Sequence, residues 1–140
     1  MATIKTTHID TGGHGYYSVS KKDIQTLGIS DKISGYSGQT LDRVYLEEDC
    51  DATLLYDRAK ELNIKIDCKS GYNPKFSVNH NYNPDLFAWV PEVGNKIMIG
   101  KSQYQIILVN KKMLIIENNF GKGFRLSLSN PFSYITSVLN

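Results

Sequence analysis

The chain of 140 residues contains no run of about 18 apolar residues, which is the length a membrane-spanning helix needs. Its opening segment, MATIKTTHID, has none of the apolar core of a secretory signal peptide. Only two cysteines occur, Cys50 and Cys68, and their spacing matches no paired pattern. Without a secretion signal, this predicts free thiols in place of a disulfide. We therefore expect a cytoplasmic protein with no membrane partner.

The sequence also lacks a strong charge of one sign, since its formal net charge is +2. The charges are unevenly distributed: residues 1–70 carry nine Lys/Arg against eleven Asp/Glu, and residues 71–140 carry seven against three. This polarity predicts two sub-structures with different surfaces. The basic half is mild beside the clustered basic stripes of dedicated nucleic-acid binders.

Spacings that indicate catalysis or metal binding are missing as well. The three histidines, His8, His14 and His80, include no i, i+4 pair, and neither cysteine has a second cysteine nearby, so a zinc site would need long-range convergence. The triplet DTG at 10–12 is too short to indicate an aspartic protease, which needs two aspartates sharing a proton. We predict no catalytic residue, no metal ligand and no cofactor.

The hydrophobic pattern predicts an α+β fold in the first half of the chain. Strand-like segments at 3–9 and 15–20 flank the glycine-rich turn TGGHG, which indicates a β-hairpin with His14 near its tip. A short helix is expected between Ser20 as N-cap and Gly28 at the C-terminal end. A strand at 43–48, an amphipathic helix at 51–63 and a strand at 63–69 complete a mixed sheet with two short helices.

The second half has a different texture. Four short strands are predicted at 96–99, 103–109, 113–117 and 123–128, separated by turn residues. This spacing predicts a small antiparallel SH3-like β-barrel, because closure removes exposed strand edges. We therefore expect an N-terminal α+β unit (1–70), an Asn/Tyr/Pro-rich connection (71–90) and a small β-barrel unit packed on the first (91–140).

Four carboxylates surround Cys50 at the predicted strand-to-helix junction: Glu47, Glu48, Asp49 and Asp51. Acidic residues are favoured where a helix begins, and an N-cap from Asp49 or Asp51 would contribute about 1 kcal/mol. The alternative is an oxygen-rich site for a divalent cation, although the spacing differs from the calcium-loop pattern. The same acids should raise the pKa of the Cys50 thiol.

The first half also offers candidate contact residues. His14 lies between two glycines, a setting that presents an imidazole to a ligand or simply forms a polar hairpin tip. The nine tyrosines include Tyr16 and Tyr36 in or near predicted loops or strand edges, and tyrosine provides a large contact area at low entropic cost. We place His14, Tyr16, Tyr36 and the acidic junction in a predicted binding surface.

The predicted barrel carries a second set of candidates, of basic character. Lys111, Lys112, Lys122 and Arg125 occur beside two phenylalanines, Phe120 and Phe124. Such residues bind phosphates and stack on bases in nucleic-acid complexes. The alternative is a set of solubilising cations on turns and edges.

Residues 12–52, GGHGYYSVSKKDIQTLGISDKISGYSGQTLDRVYLEEDCDA, resemble the opening of small, largely uncharacterised proteins encoded by bacteriophages and prophages. The shared features are the turn 13–16, the loop residues Ile33, Ser34, Tyr36 and Ser37, and the junction 44–52. The segment 93–127 is similar to a common SH3-like module of phages and plasmids. The resemblance implies a phage origin and a host-directed role, and it brings no catalytic residue.

Together these observations predict a non-enzymatic accessory binding protein in the cytoplasm of a host bacterium. Its expected action is to inhibit a defence or host factor by occluding a protein or nucleic-acid site, with a host protein as the partner. One alternative is a protein that binds and sequesters a nucleotide or another small ligand. A second is a metal-dependent hydrolase that uses the 47–51 acids with His8 and His14.

Overall fold

The computed structural model describes residues 2–77, 80, 82–127 and 134–139. The chain divides into two compact units, Met1–Phe87 and Ala88–Asn140, called here the N-terminal and C-terminal units. The elements of the N-terminal unit are β1 (Thr3–Asp10), β2 (Gly15–Ser20), α1 (Lys21–Leu27), β3 (Gly38–Gln39), β4 (Arg43–Glu47), α2 (Ala52–Glu61), β5 (Lys65–Tyr72) and a 3₁₀ helix (Pro84–Leu86). Those of the C-terminal unit are β6 (Lys96–Ile99), β7 (Ser102–Val109), β8 (Met113–Asn118), β9 (Gly123–Ser127) and β10 (Ser137–Val138).

The N-terminal unit is built on one five-stranded sheet in the order β3-β4-β2-β1-β5. All neighbouring strands are antiparallel except β1 and β5, which are parallel. The predicted hairpin is confirmed, and Asp10 pairs with Gly15 at its closed end. The predicted short helix is also confirmed: Ser20 Oγ accepts a hydrogen bond from the N–H of Asp23, and Gly28 ends the helix at φ 66°.

Both helices contribute to one hydrophobic core. Ile24 and Leu27 of α1 and Leu55 and Ala59 of α2 are buried in the cluster that covers one face of the sheet. The remaining core residues of this cluster are Ile4, Val19, Ile29, Ile33, Val44, Leu46 and Tyr82. Alternation along β1, β2 and β4 puts their apolar side chains Ile4, Val19, Val44 and Leu46 on the helix face. Lys5, Arg43 and Glu47 lie on the other, open face, part of which is covered by Phe76 where it packs on Tyr16 and Tyr45. The core therefore fixes which strand residues face outwards.

The C-terminal unit contains the second five-stranded sheet, in the order β10-β6-β7-β8-β9, with all neighbouring strands antiparallel. Its buried side is formed by Ile97, Ile106, Leu114, Ile116 and Leu126. The four predicted strands and the α+β class are confirmed. The SH3-like barrel is not confirmed, because in the described residues β9 and β10 stand at opposite ends of this sheet and neither sheet closes. In the described part of the chain, no helix is long and apolar enough to cross a membrane.

Candidate functional site: the hairpin tip and the acidic junction

The hairpin tip and the acidic junction lie side by side because β2 pairs with β4. His8 of β1 reaches across the start of β2, and its Nε2 lies 2.9 Å from Oε2 of Glu48. The two side chains meet directly above Gly15, where an added Cβ would overlap Glu48 Oε2 and lie 2.6 Å from His8 Nε2. A side chain at position 15 would therefore displace the hydrogen-bonded pair of His8 and Glu48.

Glu47 is buried on the open face of the sheet, opposite Tyr16 in the β2–β4 register. Its Oε2 accepts a hydrogen bond from the N–H of Asp49 at 2.9 Å, and its own N–H donates to Ser37 Oγ at 3.0 Å. Oε1 lies 4.0 Å from Nδ1 of His14, whose side chain is 63% exposed. The Glu47 carboxylate thus connects the hairpin tip to the junction.

Asp51 is buried and holds the loop that follows α1. Both of its carboxylate oxygens accept from the N–H of Ser34, at 3.1 and 3.2 Å. Oδ2 also accepts from the hydroxyl of Ser34 at 2.7 Å and from that of Ser37. Asp51 occupies the N-cap position of α2 but makes no side-chain capping bond. The capping role expected of Asp49 or Asp51 is therefore not what the Asp51 carboxylate does, because three donors from the 34–37 loop occupy it.

An aromatic cluster surrounds the buried ring of Tyr16. The rings of Phe76 and His80 lie 5.9 and 6.3 Å from it, and the ring of His14 lies 6.5 Å away. His80 has a positive φ of 45°, and its Nδ1 lies 2.6 Å from the backbone oxygen of Tyr36. A non-glycine residue in this conformation is held by its surroundings. Tyr36 itself projects outwards and is 66% exposed.

Negative charge dominates the electrostatics of this region. A hydrogen bond to Glu47, a small desolvation and the neighbouring acids raise the pKa of the Cys50 thiol. The thiol is therefore a poor nucleophile at neutral pH, whereas the sequence left open the balance between the acids, which raise the pKa, and the helix N-terminus, which lowers it. Burial, followed by the Glu47 and Glu48 carboxylates, raises the pKa of the Tyr16 phenol. The carboxylates of the junction contribute to both shifts.

We call His14, Tyr36, Asp49 and His80, together with the exposed Cys50, the recognition surface. All five are exposed, and each is positioned by the buried frame of Tyr16, Glu47 and Asp51. The acids and histidines do not gather around one point: His8 pairs with Glu48, whereas Glu47 and Asp51 bond to loop donors. The described residues contain no group of three or more His, Cys, Asp or Glu side chains placed to hold a metal ion.

The basic candidates occupy different places in the C-terminal unit. Lys122 and Phe124 belong to the β8–β9 hairpin, with the Lys122 ammonium 5.4 Å from the Phe124 ring centre. Lys111 and Lys112 form the β7–β8 turn at the opposite end of β8, about 17 Å away for a six-residue strand. Arg125 follows Phe124 in β9, so its side chain points to the other face of the sheet. The four cations do not form one cluster.

The β8–β9 hairpin presents an aromatic ring to solvent. Phe120 at its tip is 94% exposed. The tip is well ordered by hydrogen bonds, because Asn118 Oδ1 accepts from the N–H groups of Phe120 and Lys122 at 2.9 and 3.0 Å. Tyr104 packs edge-on against Phe124 with ring centres 5.6 Å apart. Three aromatic rings and a lysine therefore occur at this end of the sheet.

A shallow hollow of about 390 Å³ lies on the open face of the first sheet. Its lining is charged and polar, with Lys5, Arg43 and Lys69 as cations and Asp23 and Asp67 as carboxylates. His14 is not among its lining residues. With three cations and two carboxylates, the lining of this hollow carries a small net positive charge.

No structural role was assigned from the sequence to Phe76, His80, Ser34 or Ser37, although the two serines belong to the loop that contributes to the resemblance to phage proteins. Phe76 lies in the predicted Asn/Tyr/Pro-rich connection (71–90), yet its ring packs on Tyr45 at 5.2 Å as well as on Tyr16. The sequence KFSVNHNY (75–82) does contain a pattern that indicates packing: the ring side chains Phe76, His80 and Tyr82 all fall on even positions, as expected of an extended segment with one buried side. The two serines gave no such signal, because hydroxyl groups that bond to a distant carboxylate have no sequence pattern.

Comparison of the chain with protein-family models, with curated proteins and with solved structures found no match.

Proposed function

We propose that this chain is a non-enzymatic binding protein that acts on a protein factor of a bacterial host, as a phage accessory protein would. It inhibits that factor by covering one of its sites with the recognition surface. The observation that carries the proposal is the division of roles at the junction. The carboxylates of buried Glu47 and Asp51 accept hydrogen bonds that stabilise the local structure. The side chains of His14, Tyr36 and Asp49 are exposed and remain accessible to a partner.

The charge of the surface indicates the chemistry of the partner. Exposed Asp49 lies beside the Cys50 thiol and partly exposed Glu48 beside the Tyr16 phenol. Burial is the main cause of the raised pKa of Tyr16 and the hydrogen bond to Glu47 that of Cys50, with the neighbouring carboxylates adding to both. A basic patch on the partner would complement these carboxylates, and Tyr36 would supply the large contact area that interface centres use. We therefore expect an affinity that falls as salt is added.

The experiment is affinity capture from a bacterial lysate, with and without nuclease, using three forms of the chain. The wild type and Tyr134→Ala, a control that removes a comparably exposed tyrosine of the C-terminal unit, should retain the same protein. His14→Ala/Tyr36→Ala should lose it by at least tenfold while melting at an unchanged temperature. Equal capture by all three forms, or catalytic turnover of a substrate by the wild type, would count against the proposal.

A second candidate function is single-stranded nucleic-acid binding by the C-terminal unit. The favouring observation is the β8–β9 hairpin, where exposed Phe120 lies near Lys122 and Phe124. Exposed rings beside cations are what sequence-tolerant stacking on bases requires. The described charges of this unit are also mainly positive, with six Lys/Arg against two Glu.

Fluorescence anisotropy with a labelled twelve-nucleotide oligothymidine tests this second function. Phe120→Ala and Lys122→Ala should each weaken binding several-fold, since base stacking contributes about 1–3 kcal/mol per base. Lys111→Ala/Lys112→Ala is the matched control at the other end of β8 and should bind nearly as the wild type does. No binding, or equal losses in all variants, would exclude a hairpin site. A separate titration with mononucleotides tests the small-ligand alternative, for which the hollow around Lys5 and Arg43 is the place; binding that Lys5→Ala/Arg43→Ala abolishes would favour it, and no binding would exclude it.

A further inference from the structure

The strand β5 leaves one edge of the first sheet open. It stands at the end of the strand order, and β1 is its only neighbour among the residues the structure describes. Seven of its eight residues are exposed, and Ile66 is half-buried. An exposed edge of this length presents a row of backbone donors and acceptors to any strand that can pair with it.

The backbone hydrogen bonds of β5 show which residues face this edge. The N–H of Lys65 donates to the carbonyl of Ala2 at 3.0 Å, and the N–H of Asn73, one residue past the strand, donates to Asp10 at 2.8 Å. Successive residues of a strand direct their N–H and C=O groups to opposite sides. The odd-numbered residues therefore bond to β1, and Ile66, Cys68, Ser70 and Tyr72 direct theirs outwards.

We infer that β5 pairs antiparallel with β5 of a second copy of this chain, about a two-fold axis at Cys68. In this register Asp67 lies opposite Lys69 of the second copy on both sides of the axis. Moving the axis by one residue puts Asp67 opposite Asp67, or Lys69 opposite Lys69. Directly opposed unlike charges stabilise a strand pair and like charges destabilise it, so the charge pattern favours the axis at Cys68 over an axis at either neighbouring residue. An axis at Ile66 would also oppose Asp67 to Lys65, but it would pair only residues 65–67 of β5, whereas the axis at Cys68 pairs residues 65–71. A two-fold arrangement closes at a dimer.

The same register pairs the outward backbone N–H and C=O groups with each other and leaves room for the facing side chains. Ile66 pairs with Ser70 of the second copy, and the two Cys68 residues pair with each other, so that the outward donors meet outward acceptors. Lys65 comes opposite Gly71, and no atom lies within 4 Å of the place where a Cβ at Gly71 would be. A groove of about 580 Å³ lies along the start of β5, with Tyr56, Ile64 and Ile66 in its lining. The dimer sheet has ten strands.

Sedimentation velocity over a range of concentrations tests the dimer and its register. The wild type should dimerise, and Asp67→Lys and Lys69→Asp should each raise the dissociation constant at least tenfold. The double swap Asp67→Lys/Lys69→Asp restores opposite charges and should restore the dimer. Asp85→Lys and Lys22→Asp, which make the same charge changes at exposed positions elsewhere in this unit, should leave it unchanged.

Two further variants separate the register from a loss of folding. Ser70→Pro removes an outward N–H without touching the bonds to β1, so it should give a folded monomer. In a Cys50→Ser background, a short bis-maleimide should join the two Cys68 thiols, because paired residues of this kind have Cα atoms about 5.5 Å apart. Three results would overturn the inference. They are a wild type that stays monomeric at all concentrations, a dimer whose dissociation constant is unchanged by the single charge substitutions, and a dimer whose Cys68 thiols do not cross-link.

Discussion

At the scale of single residues, position 15 is the most tightly determined in the hairpin. The pair formed by His8 and Glu48 occupies the space that any side chain at this position would need. The Glu48 carboxylate is the flexible end of a partly exposed side chain, so an alanine would displace it and leave the backbone in place. The cost is then the loss of the contact between His8 and Glu48.

We predict that Gly15→Ala lowers the free energy of unfolding by about 1 kcal/mol, between the values of exposed pairs and of buried charged hydrogen bonds. Urea denaturation measures it, and Gly13→Ala is the control because no atom lies within 4 Å of a Cβ there. In a Glu48→Ala background the same substitution should cost much less, as expected for coupled residues. An equal cost in both backgrounds would show that the His8–Glu48 pair is not the reason for the glycine.

Lys21 is a residue whose deprotonation should affect stability at alkaline pH. Burial lowers its pKa to about 8, and the nearby Asp42 only partly opposes this shift. Its Nζ donates to the carbonyl of Phe87 at 2.9 Å. The unfolded chain keeps Lys21 protonated up to about pH 10.5, so between pH 8 and 10.5 it binds more protons than the folded chain does.

Stability should therefore rise with pH across this window on account of Lys21, by at most about 2 kcal/mol after allowance for its partial exposure. Urea denaturation of the wild type and of Lys21→Met at pH 7.5 and 9.5 isolates the effect, because other titrating groups cancel in the difference. The wild type should gain relative to the variant at the higher pH. A constant difference, or a loss, would contradict a lowered Lys21 pKa.

At the scale of elements, the acidic junction shows how a loop is stabilised by a residue distant in sequence. The 34–37 loop receives its order from Asp51, which lies at the start of α2. Ser37 also connects the loop to β4, because its Oγ accepts a hydrogen bond from the N–H of Glu47. The position of Tyr36 thus depends on a carboxylate fifteen residues further along the chain.

Asp51→Ala should lower the free energy of unfolding by about 2–3 kcal/mol, since three donors lose a buried charged acceptor. Hydrogen exchange at residues 34–37 should speed up in the same variant, and partner capture should weaken. Asp49→Ala, which removes an exposed acid of the same junction, should stay within about 0.5 kcal/mol of the wild type. Unchanged exchange in the Asp51 variant would show that the loop is ordered by other contacts.

The elements also show what the sequence could predict. Helix and strand positions followed from local signals: Ser20 and Gly28 bound α1, and alternation marked β2 and β4. The roles of Asp51 and Phe76 could not be predicted, because each depends on contacts with residues distant in sequence. A carboxylate that caps a helix and one that holds a remote loop have the same local sequence, and only tertiary structure separates them.

At the scale of the whole molecule, the uneven charge of the sequence corresponds to two compact units. The N-terminal unit has ten Lys/Arg against twelve Asp/Glu, and the C-terminal unit has six against two. The strands of the predicted barrel could be located from the sequence, but its closure could not. Strand spacing predicts a series of antiparallel strands, whereas closure depends on whether the two end strands pair with each other. In the described residues, the end strands β9 and β10 are not paired with each other.

The central claim is that the junction of β2, β4 and the 34–37 loop is a surface for recognition and performs no chemistry. Hydrogen–deuterium exchange on the chain, alone and in complex with the captured host protein, tests it most directly. We predict that protection on binding is concentrated in residues 13–16, 34–37 and 47–50. Protection confined to residues 96–127, with those three segments unchanged, would contradict the claim.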